Sequence, residues 1–334
     1  MYEFNKEEIE RDEKANYELL STKSREEWIN IYLKDVRPRF AKRLFWKYRD
    51  PEKHHYDLPV DGTRTTYENR AGINLPAILY RPKGADGEKL PTYFQIHGGG
   101  WVMGSCEVNN AECCRYRDEA GVQVINIGYR LAPEAEFPAP VQDCYDGINY
   151  FVRRADQYGI DLERLGVGGD SAGGSLAIAM SFLSNDYKEF KFKMQLLTFP
   201  NVNLGYVSHD VTIGGKDPGK TVQTFYVTSP ACYSEPAQLR NPLISALFAS
   251  DVTLSKLPTT VLLLADKDQL RPQAEDWAKR CAGNGVTVVS KTIENTRHGF
   301  IYYDVDDPNS EWKDELCKPG VDFLVDGLKN YLVK

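Results

Sequence analysis

The spacing of hydrophobic positions along the chain changes at about residue 64. Beyond this point, short runs rich in β-branched and aromatic residues alternate with longer amphipathic stretches. Such runs are typical of buried strands, and the stretches between them follow helical periodicity. The predicted strands are 75–80, 92–97, 123–128, 165–168, 194–199, 259–265 and 286–293, and the predicted helices are 107–120, 141–158, 174–185, 272–282 and 319–332. This alternation predicts an α/β protein with a mostly parallel central sheet and helices on both faces.

Two parts of the chain interrupt the alternation. Residues 1–60 are highly charged and predict two helices, 7–20 and 24–32, the second with Ser24 as N-cap and Glu27 completing a capping box. Because this region has few apolar residues, we expect it to lie over a larger domain at 61–334. Residues 201–240 form an insertion rich in glycine, proline and aromatic residues, with one helical run at 221–226. Long insertions in a compact α/β core are often lids or binding loops.

Charge and cysteine content exclude several classes of function. The 334-residue chain has a net charge of −7 and no basic run, which argues against nucleic acid or an anionic membrane as the main partner. No stretch approaches the roughly 18 apolar residues that span a bilayer, and the opening residues lack the apolar core of a signal peptide. The seven cysteines, an odd number without C-x-x-C, indicate reduced thiols. We therefore expect a soluble, cytoplasmic protein.

The strongest local signal is GGDSAGG at residues 168–174. It contains G-x-S-x-G between a predicted strand and a predicted helix, which is the context of a nucleophile elbow. The glycines permit a tight turn, and the following helix N-terminus favours developing negative charge. A glycine-rich packing turn is the alternative, but the position within the α/β pattern favours Ser171 as a nucleophile. A dinucleotide loop is disfavoured because serine replaces the last glycine of that motif.

A second glycine-rich loop, HGGGW at residues 97–101, follows another predicted strand. Three glycines expose backbone N–H groups, which acyl transfer needs where the carbonyl oxygen becomes an oxyanion. We predict that the donors are Gly99, Gly100 and the residue after the nucleophile, Ala172. His97 is expected to anchor the loop by hydrogen bonding.

A nucleophilic serine needs a base, and the chain has five histidines. His298 is the candidate because it lies in a loop after an apolar strand and before the last helix, in the chain order serine, acid, histidine. The acid should follow a strand between the two, where Asp266 and Asp268 both qualify. Spacing alone does not choose between these two carboxylates.

Residues 70–330 resemble the hormone-sensitive-lipase family of α/β-hydrolases, also called family IV carboxylesterases. The resemblance rests on HGGGW at 97–101, on YRLAPE at 129–134 continuing to Asp143, on GDSAGG at 169–174 and on HGF at 298–300. It implies the α/β-hydrolase fold, with a helical cap formed by residues 1–60 and the insertion at 201–240. Arg130 and Glu134 are then expected in buried polar contacts behind the sheet.

The resemblance also bears on the acid. The family pattern D-P-L-R-D aligns with the stretch that begins at Asp268, which favours Asp268 as the acid. Gln269 and Pro272 depart from the pattern at its second and last positions.

The expected function is hydrolysis of small, short-acyl esters through an acyl-enzyme on Ser171, without a metal or organic cofactor. Bulky residues beside the motifs or in the cap are candidates for the substrate pocket, although each is equally expected in the core: Trp101, Phe199, Phe225, Tyr226 and Ile301. A lactone, an amide or a carbamate is an alternative substrate, because the triad does not select the leaving group. A non-catalytic ligand-binding member of the fold is a further alternative. Homodimers are common in this architecture, so a homodimer is a candidate assembly.

Overall fold

A computed structural model describes residues 21–38, 49–50, 55–56, 58–205, 228–301 and 314–334. Its strands are β1 (Arg49–Asp50), β2 (His55–Tyr56), β3 (Thr63–Glu68), β4 (Asn74–Tyr80), β5 (Leu90–Ile96), β6 (Gln123–Ile127), β7 (Ile160–Asp170), β8 (Met194–Thr198), β9 (Thr259–Ala265) and β10 (Val288–Ile293). Its α-helices are α1 (Arg25–Ile31), α2 (Asn110–Ala120), α3 (Ala139–Val152), α4 (Ala155–Tyr158), α5 (Ala172–Tyr187), α6 (Asp251–Leu254), α7 (Arg271–Gly283) and α8 (Asp314–Leu328). Residues 228–233 are also helical.

Eight of these strands form one twisted sheet in the order β10-β9-β8-β7-β5-β6-β4-β3. The strands from β5 to β10 run parallel, whereas β4 is antiparallel to both β6 and β3. β7 and β5 lie in the middle of the sheet, with Gly168 opposite Gln95 and Gly169 opposite Ile96. The mostly parallel sheet predicted from the alternation of elements is confirmed.

Two large clusters of buried side chains make up most of the hydrophobic core in the described part of the chain, and a small third cluster joins Trp28 to Ala231. One large cluster contains Phe151 of α3, Met180 of α5 and Trp277 of α7, and the other contains Tyr116 of α2 and Leu324 of α8. Strands that are covered on both faces read as continuous apolar runs, which is why β5, β6 and β8 are buried at every position. Helices therefore cover both faces of the sheet, as expected.

One strand was not predicted, and several predicted elements differ from the structure in extent or continuity. β3 was not predicted, because its sequence TRTTYE places exposed polar residues on an edge strand. The predicted helix 141–158 is divided into α3 and α4, since the backbone leaves helical geometry at Arg154, with φ −115° and ψ 31°. The predicted helix 319–332 continues from α8 into a π-helical turn at Lys329–Val333. The predicted helices 7–20 and 221–226 lie outside the described residues.

Helix α1 has the predicted capping box. The Ser24 hydroxyl accepts a hydrogen bond from the Glu27 N–H, and the Glu27 carboxylate accepts one from the Ser24 N–H. Trp28 and Tyr32 are buried on the side of this segment that faces the protein. The seven cysteines are free thiols, six of them buried and Cys114 half-buried. In the described part of the chain, no helix combines the length and the apolar character needed to span a bilayer.

Candidate active site

The parallel strands bring the chemically distinctive loops to one edge of the sheet. The glycine loop follows β5, Ser171 follows β7 and Phe199 follows β8. Asp268 lies three residues beyond β9, and His298 lies five residues beyond β10. Because the carboxyl ends of parallel strands meet at the same edge, residues separated by up to 200 positions converge there.

The turn from β7 into α5 holds Ser171 in a strained backbone conformation. Its φ is 54° and its ψ is −118°, a region that non-glycine residues rarely adopt. The flanking glycines are required by close packing, since a Cβ on Gly169 would lie 2.3 Å from the Ile96 carbonyl oxygen and one on Gly173 would lie 2.1 Å from it. The serine hydroxyl therefore projects from a tight turn that begins a helix, as the G-x-S-x-G motif predicts.

Ser171, His298 and Asp268 form a chain of hydrogen bonds. The Nε2 atom of His298 lies 2.8 Å from the Ser171 Oγ atom, and its Nδ1 atom lies 2.7 Å from Oδ2 of Asp268. The Asp268 side chain is 1% exposed, and its Oδ1 atom accepts a hydrogen bond of 2.9 Å from the Leu270 N–H. The three residues, which follow one another along the chain as serine, acid and histidine, thus form one hydrogen-bonded chain with His298 in the middle.

The environment of His298 favours its protonated form. Burial of the imidazole lowers the pKa of His298, but the negative charge and the hydrogen bond of Asp268 raise it more, so the net shift is upward. A base with a raised pKa accepts the serine proton more readily. The imidazole ring also lies against Phe199, with 4.8 Å between the ring centroids.

Asp266, the other carboxylate compatible with the spacing, is directed away from the imidazole. Its Oδ1 atom accepts a hydrogen bond of 2.9 Å from Arg271, and its Oδ2 atom accepts one of 3.2 Å from the Asn295 N–H. It is therefore a structural carboxylate that joins the loop after β9 to the loop after β10.

The glycine loop is held beside Ser171 by its neighbours. The His97 Nδ1 atom lies 2.8 Å from the Gly98 carbonyl oxygen, and the Tyr129 hydroxyl donates a hydrogen bond of 2.9 Å to the His97 carbonyl. The His97 and Tyr129 rings stack with 4.2 Å between centroids. His97 thus anchors the loop as predicted, and Tyr129 of the YRLAPE stretch supports it.

Gly99 and Gly100 have the left-handed backbone conformations that favour glycine, with φ of 117° and 61°. The Gly99 carbonyl accepts hydrogen bonds from the N–H groups of Val102 and Met103, which closes the loop into a compact turn. Ala172 is the first residue of α5 and is 1% exposed. The proposed oxyanion donors therefore lie on two tight turns that follow neighbouring strands, β5 and β7.

The segment with α1 packs on the outside of the glycine loop. The Tyr32 hydroxyl donates a hydrogen bond of 3.0 Å to the Val102 carbonyl. Arg25 donates one of 2.8 Å to the carbonyl of Ala231 in the helical segment 228–233, and it pairs with Glu235 at 2.8 Å. The described parts of the amino-terminal region and of the insertion are thus joined to each other above this edge of the sheet.

The predicted pocket residues have different surroundings. Trp101 is 2% exposed and stacks on Tyr233, with 4.7 Å between ring centroids. Phe199 is 1% exposed against the His298 ring, and Ile301 is 2% exposed in the same cluster as Phe199. Phe225 and Tyr226 lie outside the described residues.

The YRLAPE stretch requires one correction. Arg130 forms the expected buried contact, a two-pronged ion pair at 2.8 Å with Asp143, whose side chain is fully buried. Glu134, expected in a buried contact, has a side chain that is 60% exposed and pairs at 2.6 Å with Arg37. Glu134 therefore joins the amino-terminal segment to the domain at its surface, because α1 and the turn after it approach from outside.

Sequence reasoning missed the polar residues that surround the elbow from behind. Asp170, the second residue of GDSAGG, is 1% exposed and accepts a hydrogen bond of 3.0 Å from Asn109. Glu112, on helix α2, is 4% exposed. The signal available in the sequence was a carboxylate between a buried strand and the nucleophile, where an apolar residue would be expected.

Comparisons with known proteins agree with this arrangement. Residues 93–302 match the profile of a family described as having the alpha/beta hydrolase fold. A protein of Acanthamoeba polyphaga mimivirus, named as an α/β hydrolase, is 34% identical over 68% of this chain and 66% of its own length. Ethyl acetate hydrolase of Pseudomonas putida is 32% identical over 70% of this chain and 73% of its own length.

Among solved structures, the hyperthermophilic esterase of the archaeon Pyrobaculum calidifontis superimposes with a TM-score of 0.73 at 29% identity. The match covers 95% of this chain and 97% of the esterase. The family match spans more than half of the chain and includes the glycine loop, the elbow, Asp268 and His298. The chain therefore belongs to the α/β-hydrolases, within the hormone-sensitive-lipase-like group of family IV esterases.

Proposed function

We propose that this protein is a serine carboxylesterase that hydrolyses small, short-acyl esters through an acyl-enzyme on Ser171. The observation that carries the proposal is the pair of hydrogen bonds from His298, 2.8 Å to Ser171 and 2.7 Å to Asp268, at the edge where the glycine loop also lies. The esterase relatives support the reaction class.

Each side chain has one role in the proposed mechanism. His298 removes the hydroxyl proton as Ser171 attacks the ester carbonyl, and the same imidazolium then protonates the leaving alcohol. Asp268 keeps the Nδ1 proton directed toward itself and stabilises the imidazolium. Water activated by His298 then attacks the acyl-enzyme, which releases the acid and regenerates the serine.

The N–H groups of Gly99, Gly100 and Ala172 are the proposed oxyanion donors. Removal of one such donor costs about 3–4 kcal/mol of transition-state stabilisation in comparable sites. The tight turns on which these residues lie support this role, because donors held in place before the reaction need little reorganisation during it.

The short-acyl preference is supported by the Pseudomonas putida relative, whose name specifies ethyl acetate. Phe199 is buried beside His298, and Trp101 is buried in the glycine loop. Both remain candidates for one wall of the acyl site, together with Ile301. Phe225 and Tyr226 remain candidates from the insertion.

We also propose that residues 1–60 and 201–240 form the cap of a catalytic domain at 61–334, which the contacts of Arg25 with Ala231 and Glu235 support. A cytoplasmic location and a homodimer stay predictions from sequence.

The test is hydrolysis of p-nitrophenyl esters from C2 to C12 by the wild type and by Ser171→Ala. We expect the highest rate at short acyl chains and a loss of about 10⁵–10⁶-fold in kcat for Ser171→Ala. Ser181→Ala is a matched control, because Ser181 is a buried serine of α5, the helix that follows Ser171, and its hydroxyl bonds to Gln195 rather than to His298. It should retain activity within a few-fold of wild type.

A fluorophosphonate probe distinguishes the remaining functions. The wild type should gain one adduct by intact mass, located on Ser171, and Ser171→Ala should gain none. Labelling without ester hydrolysis would favour a lactone, amide or carbamate substrate. A folded wild-type protein that is neither labelled nor active would overturn the proposal in favour of a binding role.

A further inference from the structure

The turn after β8 joins the proposed nucleophile to the proposed base. The Ser171 N–H donates a hydrogen bond of 2.9 Å to the Thr198 carbonyl, and the Asn201 N–H donates one of 3.3 Å to the Ser171 carbonyl. Between these two bonds lies Phe199, whose ring packs on the His298 ring with 4.8 Å between centroids and 59° between the ring planes. One short segment is therefore bonded to the backbone of the nucleophile and in contact with the base.

Phe199 has a strained backbone conformation. Its φ is 35°, in the left-handed region that bulky residues rarely adopt. The Phe199 N–H donates a hydrogen bond of 2.7 Å to the Leu263 carbonyl of β9, so the strained turn is held by the neighbouring strand. Such strain persists only where the surrounding structure enforces it, and it is concentrated at functional sites. The contact with His298 gives the strain a functional reason.

The Phe199 ring contacts the loop after β10 at two residues. Besides packing on the His298 ring, it lies 5.9 Å from the Phe300 ring between centroids, with 58° between the planes. Both separations are typical of favourable aromatic pairs. Phe199 is 1% exposed, so its ring is closely packed and has few alternative positions. The loop that carries His298 is thus held against the turn that is bonded to Ser171.

The imidazole needs a second restraint besides Asp268. The hydrogen bond of 2.7 Å between Nδ1 of His298 and Asp268 fixes one edge of the ring. Rotation of the ring about that hydrogen bond would still move Nε2 away from Ser171, and a misplacement of about 1 Å lowers a rate by as much as about 100-fold. A bulky ring packed on the imidazole opposes this rotation.

We infer that Phe199 is a positioning residue for the reaction, whose ring fixes the orientation of the His298 imidazole so that Nε2 remains directed at Ser171. The inference rests on the proposed function, since it requires His298 to be the base for Ser171. This role differs from that of a wall of the acyl site, in which Phe199 would touch the substrate. Loss of a positioning residue slows the chemical step for every ester, whereas loss of a wall changes which acyl chains fit.

The experiment compares Phe199→Leu with Phe151→Leu, the same change at two buried phenylalanines. Phe151 of α3 is the control because it is fully buried and its ring packs on Tyr150 and Tyr158 rather than on a residue of the proposed triad. Both substitutions replace a ring by an aliphatic side chain in the core. They therefore differ in whether the lost ring lies against the base.

Two measurements separate a positioning residue from a wall of the acyl site. Steady-state kinetics with p-nitrophenyl acetate, butyrate and hexanoate would give kcat and KM for three acyl lengths. Proton NMR would record the downfield signal of the hydrogen bond between His298 and Asp268, assigned by its loss in His298→Gln. Melting temperatures would ensure that folded proteins are compared.

For Phe199→Leu we expect kcat to fall about 10- to 100-fold, by the same factor for all three esters, with KM within about twofold of wild type. The downfield proton signal should shift or broaden, because the imidazole then samples more than one orientation. Phe151→Leu should keep the wild-type signal and a kcat within about threefold of wild type. Both variants should melt at a lower temperature, because each loses buried ring contacts.

Three results would overturn the inference. The first is an unchanged downfield signal in folded Phe199→Leu, and the second is a kcat that matches that of Phe151→Leu. The third is a loss that appears in KM or varies with acyl length, which would assign Phe199 to the acyl site instead. If Phe199→Leu does not fold, Phe199→Met replaces it with the same expected and contrary results.

Ser171→Ala separates the two proposals. Retained activity in Ser171→Ala would contradict the proposed function. An inactive Ser171→Ala beside a wild-type-like Phe199→Leu would contradict this inference alone.

Discussion

At the scale of single residues, two aspartates two positions apart have separate tasks. Asp268 is buried and bonds to His298, whereas Asp266 is partly exposed and bonds to Arg271 and to the Asn295 N–H. The difference arises from the turn after β9, in which Asp268 faces inward and its Oδ1 atom accepts the Leu270 N–H. The two positions therefore form a natural pair for mutagenesis.

Asp268→Asn should lower kcat by roughly 10⁴-fold, because an amide at this position favours the wrong tautomer of His298. Asp266→Asn carries the same chemical change and should keep kcat within about threefold of wild type, with a small loss of stability from the broken ion pair. Steady-state kinetics with p-nitrophenyl acetate would compare the two. Equal losses in both variants would contradict the assignment of Asp268 as the orienting acid.

At the scale of elements, the site depends on the tight turn after β5, in which the backbone of Met103 lies close to Gly99. A Cβ on Gly99 would lie 2.2 Å from the Met103 carbonyl oxygen, and the φ of 117° is itself unfavourable for other residues. The loop can accept a side chain here only by changing its shape. Its N–H groups would then no longer point to the proposed oxyanion position.

Gly99→Ala should therefore reduce kcat by at least about 10²-fold, the effect of losing one oxyanion donor. Gly121→Ala is the matched control, because Gly121 also has a positive φ, of 70°, but ends α2 with no atom within 4 Å of the added Cβ. It should cost about 1 kcal/mol of stability and leave kcat unchanged. Similar kcat values for the two variants in the p-nitrophenyl acetate assay would argue against the glycine loop as the oxyanion site.

At the scale of the whole molecule, the fold buries acids whose protonation affects its stability. Burial raises the pKa of Glu112 to about 8, whereas a glutamate in the unfolded chain titrates at about 4.3. Between these pH values the folded protein holds a proton that the unfolded chain has lost. The free energy of unfolding therefore falls as the pH rises through this window.

Glu112→Gln removes this titration, so its melting temperature relative to wild type should rise from pH 5 to pH 8. A difference that grows by up to about 7 °C from pH 5 to pH 8 is expected. About 2.6 units of the pKa shift are expressed in this window, one pKa unit corresponds to about 1.4 kcal/mol, and each kcal/mol moves the melting temperature of such a domain by about 2 °C. Calorimetry across the pH range measures it. Glu119→Gln is the control, because Glu119 lies on the exposed side of α2 and pairs with Arg115, which lowers its pKa. A relative melting temperature of Glu112→Gln that is independent of pH would contradict a protonated Glu112.

Local patterns were sufficient for most elements and for the motifs. Continuous apolar runs revealed the buried strands from β5 to β9, and glycines around Ser171 and in the glycine loop revealed turns that no other residue fits. These features could be recognised because burial on both faces and positive φ restrict residue type at the position itself. The edge strand β3 was missed for the converse reason, since its exposed side chains are under no such restriction.

The sequence by itself determined the fold class and predicted the proposed nucleophile, the proposed base and the loop beside them, because each is encoded by neighbouring residues. Only the tertiary structure decided which aspartate faces His298 by contact, that Glu134 pairs at the surface with Arg37, and that Trp101 stacks on Tyr233. It also revealed that Asp170 is buried and that, within the described ranges, no lysine or arginine forms an ion pair with it. These properties depend on the register of the sheet and on residues 30 or more positions apart in the chain. No local pattern specifies which distant side chain will occupy a given space.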